Sequence, residues 1–164
     1  DRAIDDKVGA SWYRVVRGCP TIVTVVEEEA GDLVDGDTEV NTVRSLSMCP
    51  TGCRAYYELE IVRKDVHPQF GFVSSLYSEA KGTVAEDGVG DNEESWGVDG
   101  VRRALWHHGT REWDCGWREG DVIGFGCDLV AGSIHVSLNG SFDAPNGLVF
   151  ELDVERVGGG LCAA

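Results

Sequence analysis

Tyr57, Leu59 and Ile61 alternate with Glu58 and Glu60, a period of two that predicts a strand with one buried and one wet face. The same period returns in Ile123, Phe125, Cys127 and Leu129, where Gly124 and Gly126 stand on the opposite face. It returns again in Ile134, Val136 and Leu138, set against His135 and Ser137. Val130-Ala131-Gly132-Ser133 is a hairpin-length connection between these last two strands. Asn139-Gly140 follows, a pair that tolerates positive φ and predicts a tight reversal. Further strands are predicted over residues 21–27, 40–47, 69–75, 104–107 and 148–152. No segment carries a sustained 3.6-residue apolar stripe, and residues 76–85 hold at most a turn of helix. Short strands between Gly- and Asp-rich turns, with no internal repeat and no linker, predict one all-β domain over residues 1–164, an antiparallel sandwich or barrel.

Composition agrees with that pattern. The chain has 22 glycines and only four prolines, which suits many turns better than long helices. Its 42% hydrophobic and 26% charged content exclude wholesale disorder. The net charge of −15 argues against nucleic acid and anionic membrane surfaces, because both are held mainly through Lys and Arg. No apolar run reaches the roughly 18 residues of a membrane helix. Seven acids without a base lie between Glu27 and Glu39, and six between Glu86 and Asp99. They read first as solvated loops that keep the domain soluble, and second as a surface for a basic partner. The bases gather at Arg102, Arg103 and Arg111, near His107 and His108. Because the sequence starts at Asp1, a processed form or a segment of a longer chain is expected, in the cytoplasm or in an organelle after loss of a transit peptide.

The residues carry little catalytic chemistry. There is no Gly-x-Ser-x-Gly, no P-loop, no complete Gly-x-Gly-x-x-Gly and no His-Glu-x-x-His. Adjacent His107 and His108 point to opposite faces of a strand, and Asp32, Asp35 and Asp37 lack the spacing of a calcium loop. Six cysteines admit three bridges. Free thiols come first, since Cys127 occupies a core position of a strand pattern. A Cys49–Cys53 disulfide is the second reading, and zinc held with His107, His108 or Cys115 the third. No enzyme, cofactor or metal is expected.

Several stretches in order resemble the SPRY domain family. They are Gly88-Val-Gly-Asp-Asn-Glu-Glu-Ser-Trp-Gly-Val-Asp-Gly100, Leu105-Trp-His-His-Gly109 and Trp117-Arg-Glu-Gly-Asp-Val-Ile-Gly124. Asp128-Leu129, Ile134-His-Val-Ser-Leu-Asn-Gly140 and Gly147-Leu-Val-Phe150 continue the series, and Ala55–Ile61 and Gln69–Val73 resemble the two preceding strands. The resemblance spans residues 30–152. Residues 1–29 stand as an N-terminal extension or first strands, and 153–164 as a Gly-rich end. It implies a bent antiparallel β-sandwich of two sheets that offers loops at one end to protein partners. In the family a final strand closes the sandwich, and here Gly158-Gly-Gly-Leu-Cys-Ala-Ala164 resembles only its opening. The last strand is therefore expected to be lacking or truncated, leaving an edge for chain beyond Ala164 or for a neighbouring polypeptide.

Trp96, Trp106, Trp117 and Phe150 are assigned to the core, and Asp121, Asn139 and Gly140 to turns. The binding loop that the resemblance implies follows residues 69–75. In it Tyr77 is the expected contact, with Leu76 and Val84 lining a pocket and Arg63, Lys64 and Arg102 at its rim. Two functions follow from this reading. The chain is a non-catalytic module for a peptide or protein partner. Alternatively it is a permanently docked subunit or fragment of a large assembly, or a SPRY segment of a longer polypeptide.

Overall fold

The period-two segments become strands in the computed structural model, which describes residues 4–8, 11–15, 23–27, 42, 44–62, 69–77 and 88–164. Strands β1 (Ile4–Val8), β2 (Ser11–Val15) and β3 (Val23–Glu27) form an antiparallel three-stranded sheet in one compact unit. The ten other strands among the described residues belong to a second unit. These are β4 (Met48–Pro50), β5 (Arg54–Glu60), β6 (Phe70–Ser74), β7 (Ser95–Asp99) and β8 (Ala104–Trp106). They continue with β9 (Thr110–Glu112), β10 (Val122–Asp128), β11 (Ser133–Leu138), β12 (Gly147–Glu151) and β13 (Gly160–Ala163). A 3₁₀ turn, Val154–Arg156, precedes β13.

The second unit is a sandwich of two antiparallel sheets, ordered β12-β11-β10-β5 and β4-β13-β6-β7-β8-β9. Its core lies between them: Ile123, Phe125, Cys127, Ile134 and Val136 from the first sheet meet Phe72, Val98, Leu105 and Leu161 from the second. Tyr57 reaches across, stacking on Phe125 at 4.9 Å and donating its hydroxyl to the Gly71 carbonyl at 2.6 Å. A smaller cluster of Val73, Tyr77, Val89 and Cys162 covers other side chains of the six-stranded sheet. Strands β6 and β7 are consequently buried on both faces.

Two expectations change here. Strand β13 is formed, and it lies inside its sheet: Leu161 and Cys162 pair with β4 on one side and β6 on the other. The edge expected to stay open at the lacking or truncated last strand is thus occupied. Three backbone pairs per side suffice because Gly160, at φ 150°, admits a close approach to Cys49 that a side chain would block. The strand expected over 40–47 is also displaced. Residues 44–47 are outside any strand, and β-pairing to β13 begins only at Met48.

Candidate protein-interaction surface

Tyr77, the expected contact residue, is packed. It is 7% exposed, within the cluster of Val73, Val89 and Cys162, and its hydroxyl lies 3.2 Å from the Thr42 hydroxyl. An aromatic ring on this loop secures more free energy by covering a sheet than by facing water. Leu76 beside it is 56% exposed and flanks Gly158. Arg102 is not a free rim cation: its Nε donates to the Asp99 carboxylate, and its guanidinium lies 4.4 Å over the Trp106 ring. Arg63, Lys64 and Val84 fall outside the described residues.

The structure puts the other singled-out residues in the frame of the sandwich. Trp117 is fully buried, stacked on Phe70 at 5.8 Å and edge-on to Trp113 at 6.4 Å. Trp96 is buried and stacked on His107 at 4.9 Å, and Trp106 is half-buried. Asp121 accepts the Arg118 amide at 2.7 Å and the Asn139 side-chain amide at 2.9 Å. Asn139 in turn accepts the Val122 amide, and Asn139 and Gly140 both adopt positive φ, so two loops are tied at one end. Phe150 is buried, and the Arg111 guanidinium covers it at 5.3 Å while donating to the Val149 carbonyl. That carbonyl is available because the β11–β12 ladder shifts register between Ile134 and His135 and passes over Val149. Arg111 on β9 thereby links the two sheets.

A different surface is open. With Ala55, Tyr57 and Leu59 turned to the core, alternation sends Arg54, Tyr56, Glu58 and Glu60 to the outer face of the four-stranded sheet. Register sets Tyr56 beside Gly126, Gly126 beside His135 and His135 beside Leu148. A shallow groove of about 410 Å³ lies there, with Gly126 in its floor, Tyr56 and Phe142 as walls, and the Arg54–Asp128 ion pair at one end. Tyr56 is 51% exposed and Phe142 48%, and Leu148 in the same row is similarly open. The Tyr56 ring crosses β10 because Gly124 has no side chain: a Cβ there would collide with the phenol oxygen. The hydroxyl is fixed by Glu58 at 2.9 Å and by Ser137 at 3.3 Å. At the far end, the Arg54 hydrogen bond and the Ala131 and Val130 amides hold the Asp128 carboxyl down at about 2. No cluster of three or more His, Cys, Asp or Glu able to hold a metal occurs among the described residues.

Compared with known proteins, residues 54–158 match the family model described as the SPRY domain. The chain belongs to the SPRY domain family. The crystal structure of the SPRY domain of human HERC1 is similar to it in fold, with a TM-score of 0.56 and 16% sequence identity over 73% of this chain and 69% of that one. SPRY domains are in general protein-interaction modules and non-catalytic. The groove therefore belongs to a fold used for binding, on the face of a sheet rather than on the loop that carries Tyr77.

The SPRY core also contains a titrating group that the fold disfavours when charged. Five described cysteines are free thiols, and four of them are buried. Burial, reinforced by the neighbouring Cys49 thiol, pushes the Cys127 thiol up to about 12 from its ordinary 9.0. Below pH 9 the thiol is protonated in folded and unfolded chains alike, so its contribution is fully present. Between pH 9 and 12 only the unfolded chain releases the proton, and stability falls as pH rises. Tyr57, also raised by burial, extends that loss above pH 10. Urea midpoints are expected to be level up to about pH 9 and to decline beyond it. Cys127→Ala should flatten the first part of the decline, and an unchanged slope in that variant would contradict the assignment.

Proposed function

We propose that this SPRY domain is a non-catalytic recognition module that holds a peptide or protein partner against the outer face of its four-stranded sheet. The observation that carries this reading is the pair of half-open aromatic rings, Tyr56 and Phe142, that wall one groove over a glycine floor, with exposed Leu148 further along the same sheet face. Exposed apolar side chains scattered singly need no explanation, whereas two aromatic rings facing one concavity mark a contact surface. Tyr56 is suited to the role, since its ring is positioned by two hydrogen bonds and loses little entropy on contact. Leu76 contributes at the loop end expected from the family, with Tyr77 as its internal support.

The second reading, a permanently docked subunit, is favoured by one further observation. Met48 and Leu76, both exposed, flank Gly158 and Gly159, which widens the apolar surface beyond a single groove. A permanent interface of this kind usually exceeds about 2,000 Å².

A photo-crosslinking amino acid at position 142, with position 62 as an exposed control, separates these readings in an extract of the source. A defined adduct from position 142, absent from position 62 and competed by unlabelled domain, is expected for a reversible module. Co-migration of all of the chain with one large complex, uncompeted by added domain, would establish the docked subunit. Absence of adducts at position 142 would remove the groove from consideration.

A further inference from the structure

Carboxylates dominate the face on which Tyr56 lies. Glu58 and Glu60 project from β5 on the same side as Tyr56, and Asp128 stands at the groove's end. Asp128 is matched by Arg54 at 2.7 Å. Among the described residues, no base pairs with Glu58 or Glu60. Tyr56 and Phe142 wall the groove over Gly126, the His135 ring and the mutually paired Arg54 and Asp128 complete its polar lining, and Glu58 and Glu60 stand beside it on β5. Its volume of about 410 Å³ is that of one or two side chains and not of a folded surface.

From this geometry we infer that the groove seats an arginine side chain of a basic, extended partner segment, with the guanidinium stacked on Tyr56 and bonded to Glu58. The inference rests on the outer-face reading above and names its partner class. A guanidinium is planar and weakly hydrated, so it can lie on an aromatic face while its edge meets a carboxylate. Tyr56 is built for that contact. Its hydroxyl is tied to Glu58 and Ser137, which fixes the ring across the glycines and turns one π face outward. One oxygen of Glu58 accepts the phenol proton, and the second is left for a guanidinium N–H. Above Gly126 the space is open: a Cβ there would meet Tyr56 only at 3.6 Å, ordinary contact. The aliphatic stem of an arginine can occupy that space beside Phe142. An acidic segment would meet Glu58 and Glu60 as like charges, and the chain's net charge of −15 adds to the repulsion.

The test is calorimetric titration of the full chain with a capped eight-residue Gly/Ser peptide carrying two arginines, and with its lysine and citrulline versions. The arginine peptide is expected to bind about 10-fold more tightly than the citrulline peptide and several-fold more tightly than the lysine peptide. Tyr56→Leu, which still covers the glycine floor but has no π face, should lose most of that preference, as should Glu58→Gln. Glu93→Gln, an acidic change outside the groove, should leave binding within about two-fold. Folding of each variant is checked by its urea midpoint. Should Tyr56→Leu lose its fold, Gly126→Ala replaces it, since the added methyl fits and only narrows the floor. Equal affinity for the arginine and lysine peptides, or equal loss in Glu93→Gln, would mean diffuse attraction to an acidic protein, and equal affinity for the citrulline peptide would mean that charge plays no part; each result overturns the inference. Self-association abolished by Phe142→Ala would assign the groove to a second copy instead. If the arginine peptide fails while position 142 still crosslinks a partner, the occupant is wrong and the groove stands; failure of both removes the outer-face reading itself.

Discussion

Asp99→Ala is expected to destabilise the sandwich by about 3 kcal/mol, near the lower end of what removing one partner of a buried pair costs. Asp99 is 0% exposed, at the end of β7, and the turn that follows it is organised around its carboxylate. One oxygen accepts the Val101 and Arg102 amides at 2.7 and 2.8 Å, and the other accepts the Arg102 guanidinium. Removing the carboxylate leaves two amides short of an acceptor, each bond to a charged group being worth about 1.5–3 kcal/mol. Arg102 is 37% exposed and can return to water, which moderates the loss. Asp99→Asn retains an acceptor for both amides and should cost roughly half as much. Urea unfolding followed by tryptophan fluorescence measures both. If Asn proves as damaging as Ala, the amide acceptor role is refuted and the ion pair is the dominant contribution.

Trp117→Ala should cost about 3–5 kcal/mol, the range for emptying a large aromatic site. The ring is enclosed by Phe70, Trp113 and the backbone of Gly100, where any Cβ would enter the indole. The Trp117 amide also bonds the Gly100 carbonyl at 3.1 Å, so ring and turn are located by each other. Gly100→Ala is therefore expected to be strongly destabilising alone and much less so in the Trp117→Ala background, since the cavity accepts the new methyl. A double-mutant cycle reads this coupling directly. Additive effects would show that the indole does not impose the glycine. Neither substitution lies in the outer groove, so a folded Asp99→Asn protein should keep partner capture at position 142.

Much of this SPRY domain was legible along the chain. Alternation located β5, β10 and β11, since each has one face on the core and the other toward solvent or glycine. Local chemistry located the Asn139-Gly140 reversal and the carboxylate of Asp121, because a turn residue acts on its own neighbours. These features depend on residues a few positions apart, where sequence spacing and spatial spacing coincide.

Only the tertiary structure decided the rest. Strand β7 shows no alternation because the main core lies on one side of it and the loop around Val89 on the other; at Gly97 that loop approaches so closely that no side chain fits. The same second covering layer takes Tyr77 out of solvent, which no pattern within residues 76–84 encodes. Strand β13 has four residues, and its pairing is set by β4, more than a hundred positions upstream, and by β6, about ninety positions upstream. The groove likewise joins Tyr56 to Gly126 and Phe142, residues made neighbours by sheet register. Sequence determined which segments have two unlike faces. What covers each face, and therefore which aromatic rings remain open to a partner, is a property of long-range packing.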